Sequence, residues 1–299
     1  MTDTSGQTSL DDLPPARRFA WLDRYVRHPG LMIGMVILLL LVTVAAAAPW
    51  IAPYSPLDTD LADTLAHPSA KHWLGTDQYG RDIVSRLIWG SRISLQVALA
   101  VVLISLTLGT LIGAVAGFAG GWVDRVIVVC NDILLAFPGF LLALALVAAR
   151  GSSLESVITA VSIAFTPRVS AVMRSVVLTI KPRLFVEASR AIGMSSWRIL
   201  WRHVVPNALP PVIVVATVSA ATAILAEAGL SFLGLGVQPP TATWGNIISD
   251  GNAIITTNPL ISFSAGLCIA VAVVALNLLG DGLRDTLDPQ MRRQTGRMI

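Results

Sequence analysis

The sequence predicts an all-α polytopic membrane protein with six transmembrane helices. Three observations carry that prediction. Of 299 residues, 54% are hydrophobic and 13% charged, well below the roughly one-quarter charged share of a soluble domain, and the mean hydropathy is +0.71. Apolar runs of about the ~20 residues needed to cross a hydrocarbon core recur near 31–48, 95–118, 126–149, 154–172, 212–235 and 260–279. Between the fourth and fifth runs, residues 181–211 hold Lys181, Arg183, Glu187, Arg190, Arg198, Arg202 and His203. No bilayer core tolerates that density of charge, so this stretch lies in water or at the membrane surface.

Residues 1–15 are polar and expected to be disordered. In 16–28, Phe19, Leu22 and Val26 share one helical face while Arg17, Arg18, Arg24 and Arg27 lie off it. That pattern suits an interfacial helix whose basic face meets anionic lipid headgroups. The run 31–48 ends in alanines, as a cleaved signal peptide would, but it exceeds the ~7–15 residues of a signal core and follows an overlong polar region. Residues 49–91 are proline-spotted and carry Asp58, Asp60, Asp63, Asp77 and Asp82. Ile83, Leu87 and Ile88 then make a half-apolar face, read as an interfacial helix leading into the second span.

In the second span Gly109, Gly113, Gly117 and Gly121 recur every fourth residue. That spacing places them on one helix face, open to the close approach of another helix. The face serves tight packing or a sliding contact during a transport cycle. The third span begins with Asn131 and Asp132, and Pro138-Gly139 should kink it. The fourth leads to Arg168 and Arg174. The fifth contains Glu227; an acid inside a span is costly. Two readings of Glu227 stand, a structural acid hydrogen-bonded to a neighbouring helix, or, with Asp132, an intramembrane polar site that works. Residues 237–258 read as a polar loop with Trp244 as an interfacial anchor.

Within 181–211, Phe185, Ala188, Ile192, Ile199 and Val204 recur at helix-like intervals and Gly193 interrupts them. Ser195 or Ser196 can cap a second short helix, and Pro206 and Pro210-Pro211 are expected to stop it. Two short amphipathic helices bent at a glycine form either a plain connector or a docking knob for a soluble partner. With the amino terminus inside and six spans, sixteen of the 21 Lys and Arg residues fall on the cytoplasmic side, as the positive-inside rule requires.

Cys130 and Cys268 lie in apolar runs and read as free thiols, and the four scattered histidines give no metal site. A P-loop needs a Gly-Lys pair, but Lys71 follows Ala70 and Lys181 follows Ile180. The chain therefore lacks its own ATPase, no catalytic constellation is assembled by spacing, and the basic balance marks cytoplasmic loops rather than nucleic acid.

Glu187-Ala188-Ser189, with Gly193 and Val205-Pro206 following, resembles the EAA loop of ABC importer permeases; Ser189 stands for Ala and Val205 for Leu. Leu74 to Asp77, Gly80 to Asp82, Ser85-Arg86 and Trp89-Gly90 resemble the signature before the second span of peptide-type permeases. Residues 224–236 and the charged end from Gly280 are similar to the same group, whereas its Arg-x-x-Arg pair is half present, with Arg174 in the second position and Ala171 in the first. The resemblance covers nearly the whole chain after residue 16. It implies the type I ABC importer permease fold of the dipeptide/oligopeptide/nickel group. Glu187, Ala188, Ser189, Gly193 and Pro206 would form the ATPase-coupling loop. The implied partners are a second, related permease, two cytoplasmic ATPase subunits that carry ATP and Mg, and an extracytoplasmic solute-binding protein. No cofactor is expected on this chain itself.

The resulting division is a cytoplasmic tail and interfacial helix (1–30), a first span and extracytoplasmic segment (31–91), an importer membrane domain (92–283) and a cytoplasmic tail (284–299), in a bacterial inner membrane. The alternatives are a proton-coupled secondary transporter using Glu227 or Asp132, which predicts internal repeats that the hydropathy does not display, an importer of nickel or another small solute, and a scaffold that merely recruits a cytoplasmic protein.

Overall fold

The computed structural model describes residues 28–287. The expected interfacial helix at 16–28, the polar start and the end of the charged tail lie outside them, apart from their innermost residues. The regular elements among the described residues are all helical, apart from one isolated β-bridge between Thr76 and Asp82; besides that bridge, residues 52–82 hold only a 3₁₀ turn at Leu61–Asp63. The helices are α1 (Pro29–Ala46), α2 (Ala48–Ile51), α3 (Ile83–Ala119), α4 (Gly121–Leu135), α5 (Gly139–Arg150), α6 (Leu154–Ile180), α7 (Leu184–Ala191), α8 (Ser196–Ile199), α9 (Val205–Phe232), α10 (Trp244–Asn252) and α11 (Leu260–Leu287). Five of these are each long and apolar enough to cross a membrane, and the bent pair α4–α5 supplies a sixth when counted as one span.

Four expectations about the course of the chain change. The interfacial helix expected before the second span is instead its first third: α3 runs unbroken for 37 residues, roughly 55 Å. Asp82 starts it by accepting the Ser85 N–H at 2.7 Å, and nothing after that cap interrupts the backbone ladder. The kink at Pro138 is a break, with α4 and α5 meeting at 86°. Proline lacks an N–H and pushes Phe137 before it out of the helical region, so the ladder stops rather than bends.

The prolines expected to stop the second short helix do not stop it. Leu200–Val204 forms a π turn in which the Val205 N–H reaches back to the Leu200 carbonyl, and α9 then begins with Pro206 in its first turn. There the missing N–H costs little. Pro210 and Pro211 lie inside the helix, and Asn207 Nδ2 donates to the His203 carbonyl at 2.6 Å beside them. Finally, 237–258 is not a plain loop. It contains α10, whose Trp244 is 1% exposed and donates from Nε1 to the Leu87 carbonyl at 3.1 Å. An indole enclosed in this way is a core residue, not an interfacial anchor.

The most extensive interface joins the two long helices α3 and α6. A Cβ built on Gly109 would lie 2.6 Å from Val169 Cβ, on Gly113 2.8 Å from Met173 Cβ, and on Gly117 2.9 Å from the Arg174 carbonyl. These three glycines let the helices touch backbone to side chain. Gly121 does not belong with them. Gly120 and Gly121 have φ of +70° and +61°, end α3 and begin α4, and a Cβ on Gly121 meets nothing within 4 Å. The four-residue spacing ran one step past the helix that gave it meaning. We expect Gly113→Leu to drive α3 from α6 and to deplete folded, monodisperse protein from detergent extracts, because over-packing here meets backbone as well as side chain. Fluorescence-detected gel filtration would reveal it, and a wild-type profile would contradict the packing account.

Helix α1 lies on α11 by the same device: a Cβ on Gly34 would lie 2.7 Å from the Ala275 carbonyl. Its far side is open, with Leu39 64% exposed, as suits a helix in lipid. Cys130 and Cys268 are free thiols.

Candidate functional site

The loop between α6 and α9 is built around one left-handed residue. Helix α7 ends with the Gly193 N–H on the Arg190 carbonyl at 2.9 Å and the Met194 N–H on the Ser189 carbonyl at 3.1 Å. That pair of bonds is a Schellman closure, and it needs the φ of +80° that Gly193 has. Ser195 then precedes α8 in extended conformation, without a side-chain cap bond.

One face of the loop is anchored. Val186, Ile199, Leu200 and Val204 are buried in a cluster with Val169, Met173 and Val177 of α6 and Val212 of α9. Ser189 is 8% exposed, and its hydroxyl donates to the Phe185 carbonyl at 2.7 Å. A small residue therefore suffices where the family pattern has alanine. The other face turns outward. Leu184 is 83% exposed, Ile192 78% and Trp197 65%, among exposed Arg183, Glu187, Ala188, Arg190 and Arg198. Of the apolar positions that predicted the helices, Phe185, Ala188 and Ile192 point away from the protein and Ile199 and Val204 into it. Periodicity located an amphipathic element but not which apolar face is covered. Pro206 is exposed at the start of α9.

The two intramembrane acids do not form one site. Glu227 is fully buried; the Ser231 hydroxyl donates to its Oε1 at 2.8 Å and the Ser94 hydroxyl to its Oε2 at 3.3 Å. Ser94 also accepts the Trp244 N–H at 3.2 Å, so the carboxyl ties α3, α9 and the start of α10 together. Gly245 lets this knot close, since a Cβ there would lie 2.7 Å from Ala228 Cα. Asp132 is exposed on α4, and its neighbour Asn131, buried, donates from Nδ2 to Ser170 Oγ at 2.9 Å. We expect Glu227→Gln to change uptake less than tenfold, because the amide keeps the shape and one acceptor while a serine hydroxyl can rotate to accept. Complete loss in an intact assembly would mark the acid as a proton carrier instead.

The signature before α3 is an ion network that locks the segment between α2 and α3 to the bundle. Asp77 accepts the Tyr79 and Arg81 backbone N–H groups at 2.8 and 3.0 Å, Arg81 Nε at 2.7 Å and Arg86 Nη1 at 2.6 Å. Arg86 Nη1 also reaches Asp250 of α10 at 2.9 Å. Asp82, besides capping α3, pairs with His72 Nδ1 at 2.9 Å. Gly75 and Gly80 hold φ of +81° and +71°. The role of Asp250 escaped the sequence, because nothing local ties residue 250 to residue 86.

The described helices supply five candidate spans, or six with the bent pair, and an outward-facing charged and apolar knob stands between two of them. The chain belongs to the family of binding-protein-dependent transport system inner membrane components, whose model matches residues 109–293. The model for the N-terminal TM domain of oligopeptide transport permease C matches residues 17–68. The dipeptide transport system permease protein DppC of Alkalihalophilus pseudofirmus is 41% identical over 261 residues, 87% of this chain and 86% of that protein. The glutathione transport system permease protein GsiD of Escherichia coli is 42% identical over 294 residues, 96% and 97% of the two chains. Among solved structures, an inward-facing form of the MetNI methionine ABC transporter aligns with a TM-score of 0.51 at 20% identity, covering 64% of this chain and 94% of that one. The fold is thus that of an ABC importer permease, and membership of this family favours the importer over a proton-coupled carrier.

Proposed function

We propose that the chain is the permease subunit of an ATP-driven peptide importer. It would form half of the translocation pathway with a second, related permease. Two cytoplasmic ATPase subunits would bind ATP and Mg, and an extracytoplasmic binding protein would deliver the solute. Relatives named for dipeptide and glutathione transport support a peptide solute.

The observation that carries the coupling role is the knob made by Leu184, Ile192 and Trp197. Large apolar side chains exposed together and rimmed by charge mark a protein-docking surface. Glu187, Ala188 and Arg190 stand on that outer face, while the inner face is packed on α6 and α9. A push on the knob would therefore pass directly to two spans. The distribution of Lys and Arg supports cytoplasmic amino and carboxyl termini, with the knob on the same side. ATP-driven closure of the ATPases would then swing the bundle between outward and inward access.

Co-purification of the tagged chain in mild detergent tests this reading. A second permease and P-loop ATPases in stoichiometric amounts are expected, and recovery of the chain alone or only with itself would overturn it. Ile192→Asp is expected to lower ATPase recovery tenfold or more while the two permeases stay together, since it puts an unpaired charge at the centre of an apolar contact. Full ATPase recovery would remove the knob from the interface.

A further inference from the structure

We propose that Arg168 contacts the solute and gives this half of the pathway a preference for anionic groups, so that acidic peptides are favoured over basic ones. The inference rests on the peptide-importer reading and adds to it a residue and a charge class.

Two clefts meet at Arg168. One, of about 550 Å³, lies at the α4–α5 break against Phe137, Pro138 and Leu225. The other, of about 770 Å³, runs between α6 and α9 towards Arg183 and Arg284. Arg168 lines both. It is the fifteenth residue of the 27-residue α6, midway along a spanning helix, and it is exposed between buried Pro167 and Val169.

Two independent features make this groove a watery one. A guanidinium within a spanning helix, short of its end, is costly against lipid and faces a cavity, the bundle interior or the interface. Non-helical backbone at membrane depth is likewise tolerated only inside protein or along a water-filled cavity, and the α4–α5 break, with Phe137 58% exposed, opens on the same groove. Lipid on this face would have to cover both.

The chemistry of the groove has one sign. Among the described residues, neither cleft is lined by an aspartate or glutamate, and the charged groups that line them are Arg168, Arg183 and Arg284. No described carboxylate pairs with Arg168, whereas Arg174, further along the same helix, is engaged by Asp124, with Nη2 to Oδ2 at 2.7 Å. A guanidinium with no described partner, set between apolar walls, attracts an anion more strongly than one in open water, and its planar fork matches a carboxylate through two parallel hydrogen bonds. Glutamyl and aspartyl side chains present that group without the compensating cation that a lysyl peptide carries.

The test uses the assembled importer in proteoliposomes with ATP and three labelled probes, Ala-Glu, Ala-Ala and Ala-Lys. The Arg168→Gln variant is expected to lower the Ala-Glu to Ala-Lys uptake ratio tenfold or more. Arg168→Lys is expected to retain the preference, and Arg168→Glu to reverse it. Uptake with an unchanged ratio in the Gln and Glu variants overturns the role of Arg168 and leaves the importer reading standing. Failure of the unaltered complex to import any of the three overturns the peptide reading and this inference with it. Should the variants import nothing, Arg168→Cys in a Cys130→Ser, Cys268→Ser background decides through a membrane-impermeant charged thiol reagent. Labelling that Ala-Glu slows more than Ala-Lys supports the contact. No labelling, with or without ATP, means that lipid or the partner permease covers the groove and overturns it.

Discussion

Gly193→Val lowers ATP-driven uptake roughly tenfold or more, whereas Gly193→Asn stays within about twofold of the unaltered chain. The pair of substitutions isolates conformation from bulk. A Cβ on Gly193 meets nothing within 4 Å, so a larger side chain has room. What it lacks is the backbone: φ is +80°, a region that costs an L-residue about 1–2 kcal/mol, with Asn the best tolerated and β-branched residues the worst. Val therefore opens the Schellman closure, frees the Ser189 and Arg190 carbonyls and lets α7 and α8 part. The anchored face, with Val186 and Ile199 buried, keeps the spans folded, so surface expression stays normal while the outer knob loses its shape. Uptake assays on matched amounts of complex provide the readout. Equal loss in the Val and Asn variants would assign the effect to bulk at the docking surface.

The sequence made the spans readable because burial in lipid demands a composition that no other environment does, and the apolar runs at 31–48, 154–172 and 260–279 lie within or against α1, α6 and α11. It made the turn at Gly193 readable because a glycine between two amphipathic stretches has few other uses. It misled at Pro206, Pro210 and Pro211, where a rule about a lost N–H met a π turn that shifts the hydrogen-bond register by one residue and tertiary packing that carries the helix past the prolines. It misled at Trp244 because amphipathic indoles serve equally at interfaces and in cores, and only the third dimension places the Leu87 carbonyl 3.1 Å away. Of the candidate site, the charged loop was visible but its outward apolar face was not, since periodicity is silent about which neighbour covers a stripe. Arg168 was visible only as a charge near the end of a span. Its place between two clefts depends on the break in α4–α5 and on the course of α9.

Asp77→Ala is expected to be the most damaging single change in the segment between α2 and α3. Asp77 is 1% exposed and Arg86 2%, and Asp77 bridges Arg81 at 2.7 Å and Arg86 at 2.6 Å. Removing it leaves two enclosed guanidiniums to share Asp250, which stands 3.3 and 2.9 Å from them. It also strips acceptors from the Tyr79 and Arg81 backbone N–H groups. Breaking a buried pair by deleting one member costs about 3–5 kcal/mol, a large part of the stability of an ordinary domain. Asp250→Ala is milder, because its side chain is 21% exposed and Asp77 still holds both arginines. The thermal midpoint of the detergent-purified complex should fall in the order unaltered, Asp250→Ala, Asp77→Ala. The double variant Asp77→Ala, Arg86→Leu should recover part of the loss, since it removes the uncompensated charge along with its partner. Recovery is the informative arm. A double variant no better than Asp77→Ala would mean that the backbone bonds to Tyr79 and Arg81, not the ion pairs, hold the segment against α3.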